Sequence, residues 1–362
     1  MRNLRVGLVV LVTSLAVVPA AGAFVVKQHN GRRVGLMLRP SAVPGYVAAH
    51  GQTRGNTGGG VVQYHNGPVL HSEAPYLIFW APGGSHVIAP SSQAVLTQYL
   101  GDVAKDSGAT DNVYGVLTQY TDTTGVGALY HQTFGSAQVI TDTQPYPSQS
   151  SSCSLGTGLT ACVTDAQIQA EITRLIAADQ LPTGTGANAP IYFLITPTDV
   201  NVCLSGGQCA NNNFCAYHDY YMDSGSPVLY ASVPFAVWAG GATKGCQDDG
   251  TSVYQTPAGN YHGDPGYQIA DNLSHELSET ITDPLINAWY TGGNGSEVGD
   301  LCEAYAAVSS TKKDVSSSAY APTLTGSASS GTLTDQLFEG DYYYTQTEWS
   351  NARNSCSATP TT

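Results

Sequence analysis

Residues 190–196, Pro-Ile-Tyr-Phe-Leu-Ile-Thr, form an apolar run without polar alternation, and this run constrains the fold more than any other segment. A strand of that kind has both faces covered, which places it inside a parallel or mixed sheet with helices on either side. The preceding segment, residues 166–178, puts Ile168, Ile172, Leu175 and Ile176 on one helical stripe. Residues 91–106 repeat that spacing through Val95, Leu96, Tyr99, Leu100 and Val103. Further strands are expected at 76–80, 112–120 and 228–233. The alternation predicts an α/β fold, a mixed sheet flanked by helices, with long loops between them.

Composition agrees with a packed body. The 362 residues are 42% hydrophobic and 11% charged, which excludes a disordered chain, while the absence of a Gly-X-Y period or heptads excludes fibrous folds. With 13 basic against 27 acidic residues and no Lys/Arg cluster, nothing here releases counterions from nucleic acid.

Residues 1–23 read as a secretory signal peptide, with Arg2 and Arg5 ahead of an apolar core and Ala21-Gly22-Ala23 as the cleavage site. The remaining chain lacks an apolar stretch long enough to span a membrane. Residues 24–60, with Arg32-Arg33 and the stretch Arg54-Gly-Asn-Thr-Gly-Gly-Gly60, read as a poorly packed extension, propeptide or linker, and residues 61–362 as a single domain. Export turns the eight cysteines into a disulfide inventory. Spacing pairs Cys153 with Cys162 and Cys203 with Cys209 as local staples; Cys215 with Cys246 and Cys302 with Cys356 is the expected division of the rest.

The segment that carries chemistry is Ala270-Asp-Asn-Leu-Ser-His275-Glu276-Leu-Ser-Glu279-Thr-Ile-Thr-Asp283-Pro284. On a helix, Ile269, Leu273, Leu277 and Ile281 form one stripe, while His275, Glu279 and Asp283, four apart, share another face. Pro284 ends the helix. His-Glu-x-x-Glu resembles the zincin helix, in which residues i and i+4 hold one ion and the adjacent Glu activates a bound water. Zinc held by His275, Glu279 and Glu297, with Asp300 as the second choice of third ligand or as the partner that orients His275, is therefore expected. Glu276 takes the catalytic role of general base, for a zinc metallopeptidase acting on peptide or protein. Two carboxylates in the set leave calcium or manganese as alternative ions, and a purely structural ion as the alternative role.

His218, in Cys215-Ala-Tyr-His-Asp219, and His262, in Tyr261-His-Gly-Asp264, are weaker candidates as ligands or donors. His65 is read as a turn residue, and Asp199, Asp219, Asp223, Asp248 and Asp249 as solvated loop acids. No nucleophile elbow, Rossmann fingerprint or P-loop occurs.

Two stretches carry a family resemblance: Tyr64-His-Asn-Gly-Pro-Val-Leu70 followed by Tyr76-Leu-Ile-Phe-Trp80, and Cys215-Ala-Tyr-His218 followed by a strand ending near Pro234. The likeness extends through Thr282-Asp-Pro284, Asn287-Ala-Trp-Tyr290 and Glu297 to Cys302. The chain resembles the phosphate-induced/exordium family of secreted proteins. That resemblance implies extracellular location and a role at the cell wall or in growth signalling; the alternative to the metallopeptidase is a non-catalytic module, similar to plant exordium proteins, that binds wall polysaccharide or a surface protein. Plant members of the family have small residues where this chain has His275, Glu276 and Glu279, so the resemblance implies a bacterial-type branch carrying a zincin-like helix.

Overall fold

The computed structural model describes residues 25–27, 33–38, 61–235, 254–255, 261–302 and 335–360, apart from short breaks within the longer stretches. Its centre is a mixed sheet. The strands, in chain order, are β1 (Val25–Lys27), β2 (Arg33–Leu38), β3 (Ser72–Trp80), β4 (His131–Gln132), β5 (Val139–Asp142), β6 (Ala189–Ile195), β7 (Phe214–Asp223) and β8 (Ser226–Ser232). They lie in the order β1-β2-β7-β8-β6-β3, with β4 and β5 pairing successive parts of the outer edge of β3. The half containing β3, β4, β5, β6 and β8 is parallel, and β1, β2, β7 and β8 are joined antiparallel.

Every residue of β6 is buried, as the apolar run at 190–196 requires. Its register sets Tyr192 beside Tyr76 of β3 on one side and beside Tyr230 of β8 on the other. The flanking helices are α1 (Pro90–Lys105), α2 (Val113–Leu117), α3 (Asp165–Asp179) and α4 (Pro265–Thr282). α3 starts with a capping box in which Thr164 and Gln167 satisfy each other's backbone N–H groups. α4 starts at Asp264, whose carboxylate accepts from Gly266 N at 2.8 Å, with Pro265 in the first turn where its missing N–H costs nothing.

Two expectations change. Residues 112–120, read as a strand, contain the short helix α2. An apolar run this short does not separate strand from helix by period, and Asn112 decides it by capping Gly115 N at 3.1 Å. Part of the segment expected to be a poorly packed extension supplies β1 and β2, and Val34, Leu36 and Met37 are buried. Residues 1–23 lie outside the described residues.

Cys153 is bonded to Cys162, Cys203 to Cys209 and Cys302 to Cys356. Cys215 is disulfide-bonded as well; its expected partner, Cys246, lies outside the described residues. Beyond residue 302 the described chain consists of short hairpins, Asp335–Phe338 with Asp341–Tyr344 and Glu348–Ser350 with Ser355–Ser357. None of the described helices is long and apolar enough to cross a membrane.

Candidate metal centre

α4 is an interior helix. Its apolar stripe, Ile269, Leu273, Leu277 and Ile281, is at most 1% exposed. Its polar face is equally buried: His275, Glu276, Glu279 and Asp283 are all 0% exposed, so the acidic face is not a solvated one. The helix ends at Thr282, as Pro284 dictates. Asp283 then accepts from the backbone N–H groups of Asn287 and Ala288, which turns the chain toward Glu297 and Asp300.

Three elements meet at this face. α4 brings His275, Glu276 and Glu279. The loop at 297–302 brings Glu297 and Asp300, tethered by the disulfide from Cys302 to Cys356 and by Trp349 N donating to Val298 O at 2.9 Å. β7 brings His218, a residue that the sequence marks only weakly. Its available signal was a polar His-Asp pair inside an otherwise apolar strand, a position that burial leaves unsatisfied without a partner.

The donors fall into two groups. In one, His218 Nδ1 is 3.1 Å from Glu276 Oε2 and 3.6 Å from Glu279 Oε2. In the other, His275 Nε2 is 3.2 Å from Glu279 Oε1 and 3.8 Å from Asp300 Oδ1. Within each triad one donor atom per residue lies within 4.8 Å of the others, close to the spread of ligands around a single ion. Glu297 flanks the first group, with Oε1 3.7 Å from His218 Nε2. Asp300 N donates to Glu279 Oε1 at 3.0 Å and Glu297 N to Asp300 Oδ2 at 2.9 Å, so the backbone of the loop fixes both carboxylates.

Two glycines make room. Gly35 of β2 stands opposite His218 in the ladder, and a Cβ there would run into the His218 ring and lie 2.7 Å from Glu297 Oε2. A Cβ on Gly299 would lie 2.9 Å from His275 Nδ1 and 3.0 Å from Glu279 Oε1.

Burial and mutual charge govern the protonation of the cluster. Burial, then the charge of Glu279, pushes Glu297 and Asp300 well above the usual carboxylate range. Burial also raises Glu276, against its hydrogen bond with His218. Burial opposes a lowered value at Glu279, but the charge of His275 outweighs it. The imidazoles run the other way: burial would depress both, yet Glu276 holds His218 up and Glu279 holds His275 well up. Asp283 is pushed up to about 7 by burial, in spite of its two backbone donors.

The structure thus brings His275, Glu279 and Asp300 together, sets Glu297 beside His218, and places Glu276 against His218 as a member of a donor triad. His262 lies on the short strand Tyr261–His262, and its side chain is outside the described residues, as are Asp248 and Asp249. Asp199 pairs with His86 at 2.9 Å and Asp219 is buried, so neither is a free loop acid. His65 stacks on Tyr290 with centroids 3.6 Å apart.

Fold and site together define an α/β, disulfide-bonded protein whose His/carboxylate cluster is sealed against a mixed sheet. The chain belongs to the family described as phosphate-induced protein 1 conserved region, whose model matches residues 62–359. It is similar to Protein EXORDIUM-like 3 of Arabidopsis thaliana, 24% identical over 257 residues that cover 67% of this chain and 68% of that protein. It is also similar to Protein EXORDIUM-like 5 of the same plant, 32% identical over 127 residues, 31% of this chain and 32% of that protein. No solved structure matches the chain.

Proposed function

We propose that this is an exported, non-catalytic protein of the cell wall or cell surface, in which a cation serves to hold the fold. The observation that carries the reading is the sealing of the candidate centre: His218, His275, Glu276, Glu279 and Glu297 are 0% exposed and Asp300 is 3% exposed. A hydrolytic ion needs an open coordination position and a substrate path, whereas a structural ion is enclosed. Family membership and the EXORDIUM-like relatives support the same reading.

The partner favoured by the surface is wall polysaccharide. Tyr64, His65, Trp289 and Tyr290 form a half-buried aromatic face, with the Tyr64 and Trp289 centroids 5.2 Å apart. Arg33 adds its guanidinium over Tyr290 at 5.1 Å. Half-buried aromatic rings with a polar rim suit contact with sugar rings.

The second reading, a zinc metallopeptidase of a bacterial-type branch, rests on His275 and Glu279 sharing a triad with Asp300. It requires Glu276 to act as a base rather than a ligand. Secretion of the full chain, followed by co-sedimentation with purified wall polysaccharide and incubation with a peptide library, separates the two. The expected outcome is recovery outside the cell, sedimentation weakened by Tyr290→Ala, and no cleavage. Peptide cleavage abolished by Glu276→Ala would replace the first reading with the second.

A further inference from the structure

The two donor triads share one residue, and it divides its oxygens between them. Glu279 Oε2 faces His218 and Glu276, while Oε1 faces His275 and Asp300. A carboxylate so placed serves two ions, one on each oxygen. The atoms that would complete the pair are buried and have no hydrogen-bond partner among the described residues: Glu276 Oε1, Glu279 Oε2, Asp300 Oδ1, His218 Nε2 and both oxygens of Glu297. Buried polar atoms left in this state cost about 1–3 kcal/mol each, and more when charged, so a sealed cluster of them implies a ligand.

The two donor sets, one on each oxygen of Glu279, set the number of ions, and charge is consistent with it. Glu276, Glu279, Glu297 and Asp300 carry four negative charges when ionised, and two divalent cations cancel them with both imidazoles neutral. Donor chemistry sets the class. One imidazole nitrogen and two carboxylate oxygens in each triad suit zinc or manganese, whereas calcium collects six to eight oxygens.

We propose that α4, β7 and the 297–302 loop hold a pair of divalent first-row cations bridged by Glu279, one on the His218/Glu276 side and one on the His275/Asp300 side, with Glu297 supplying the fourth charge. This deepens the structural-ion reading, and makes Glu276 a ligand.

The test is metal content by inductively coupled plasma mass spectrometry on the secreted full chain, purified without chelators. It is repeated after stripping and reloading with zinc or with manganese alone. Two ions per folded chain are expected, falling to one in His218→Ala, one in His275→Ala and none in the double variant. If the alanine variants fail to fold by circular dichroism, Glu276→Gln and Asp300→Asn, which keep size and hydrogen bonding, replace them with the same expectation. The manganese-loaded wild type needs no variant: electron paramagnetic resonance of a bridged pair shows about half the hyperfine spacing of an isolated ion.

One ion per chain lost equally from both sides, an isolated-ion spectrum, or no uptake by folded wild type would overturn the pair. A chain that sediments with polysaccharide and holds a single ion fails here alone; one that holds none also removes the cation from the proposed function. A chain that holds two ions and cleaves peptides fails the non-catalytic reading alone.

Discussion

Adjacent residues of β7 face two buried polar centres of opposite character. Tyr217 points to the α3 side, where its hydroxyl donates to Asp165 Oδ1 at 2.9 Å; the Tyr230 hydroxyl donates to the same oxygen, and Gln169 Nε2 donates to Asp165 Oδ2 at 2.8 Å. His218 points the other way, to α4, into a cluster whose carboxylates outnumber their donors. The first centre is complete as folded, a carboxylate at a helix N-terminus with its donors in place. The second balances only when something positive is added. Burial alone therefore does not mark a site; unmet hydrogen-bonding capacity does.

Chelation gives the largest contrast. Two ions, each present at about 100 times its Kd, contribute roughly 5 kcal/mol, so stripping should lower Tm by about 8 °C in differential scanning calorimetry. Readdition of zinc should restore it. A Tm indifferent to chelator in a protein shown to be metal-free would make the α4 cluster as self-sufficient as the Asp165 centre.

Gly35→Ala should come next. Its Cβ has no room beside His218 and Glu297, and overpacking of this kind costs about 1–3 kcal/mol. It should also reduce metal content on the His218 side. Gly299→Ala crowds His275 less and should act more weakly, on the other ion. Wild-type metal content in both variants would break the assignment of one glycine to each half.

Tyr217→Phe should cost about 1 kcal/mol in urea unfolding, because Asp165 Oδ1 keeps the Tyr230 hydroxyl. The same loss is expected with and without chelator; a chelator-dependent loss would show that the two centres communicate through β7.

The smallest effect concerns pH. Glu171, on α3, is pushed up to about 7, chiefly by burial and then by Asp142, against the pull of Arg174. The folded chain thus holds a proton that the unfolded chain releases above its ordinary value of 4.5, so this residue's contribution to stability falls as pH rises from about 4.5 to 7 and is level outside that window. Glu171→Gln should remove a shallow slope there in pH-dependent melts, without altering metal content. An unchanged slope would show that Glu171 ionises normally in the folded protein.

Elements with a strong period were legible in the sequence. α1 and α3 begin and end within about two residues of their expected limits, α4 stops before Pro284 as expected, and β6 is the buried strand that its apolar run predicted. α2 was not, because five apolar residues do not fix a period and a single Asn cap decided the matter. Nor was the membership of Arg33–Leu38 in the central sheet, since a strand that pairs with a segment far along the chain leaves no local mark of its partner.

For the site, the sequence by itself determined that His275, Glu276 and Glu279 share a helix and that Pro284 stops it, because both follow from a period of 3.6 and from the proline ring. It also held the even cysteine count and the local staples. Only the tertiary structure decided that Glu276 leans on His218, that Asp300 rather than Glu297 closes on His275, and that the acidic face of α4 is sealed. Those outcomes depend on sheet register, on the loop tied down by Cys302 and on the space left by Gly35. Each is a long-range contact, fixed by packing between segments that carry no record of one another in their own composition.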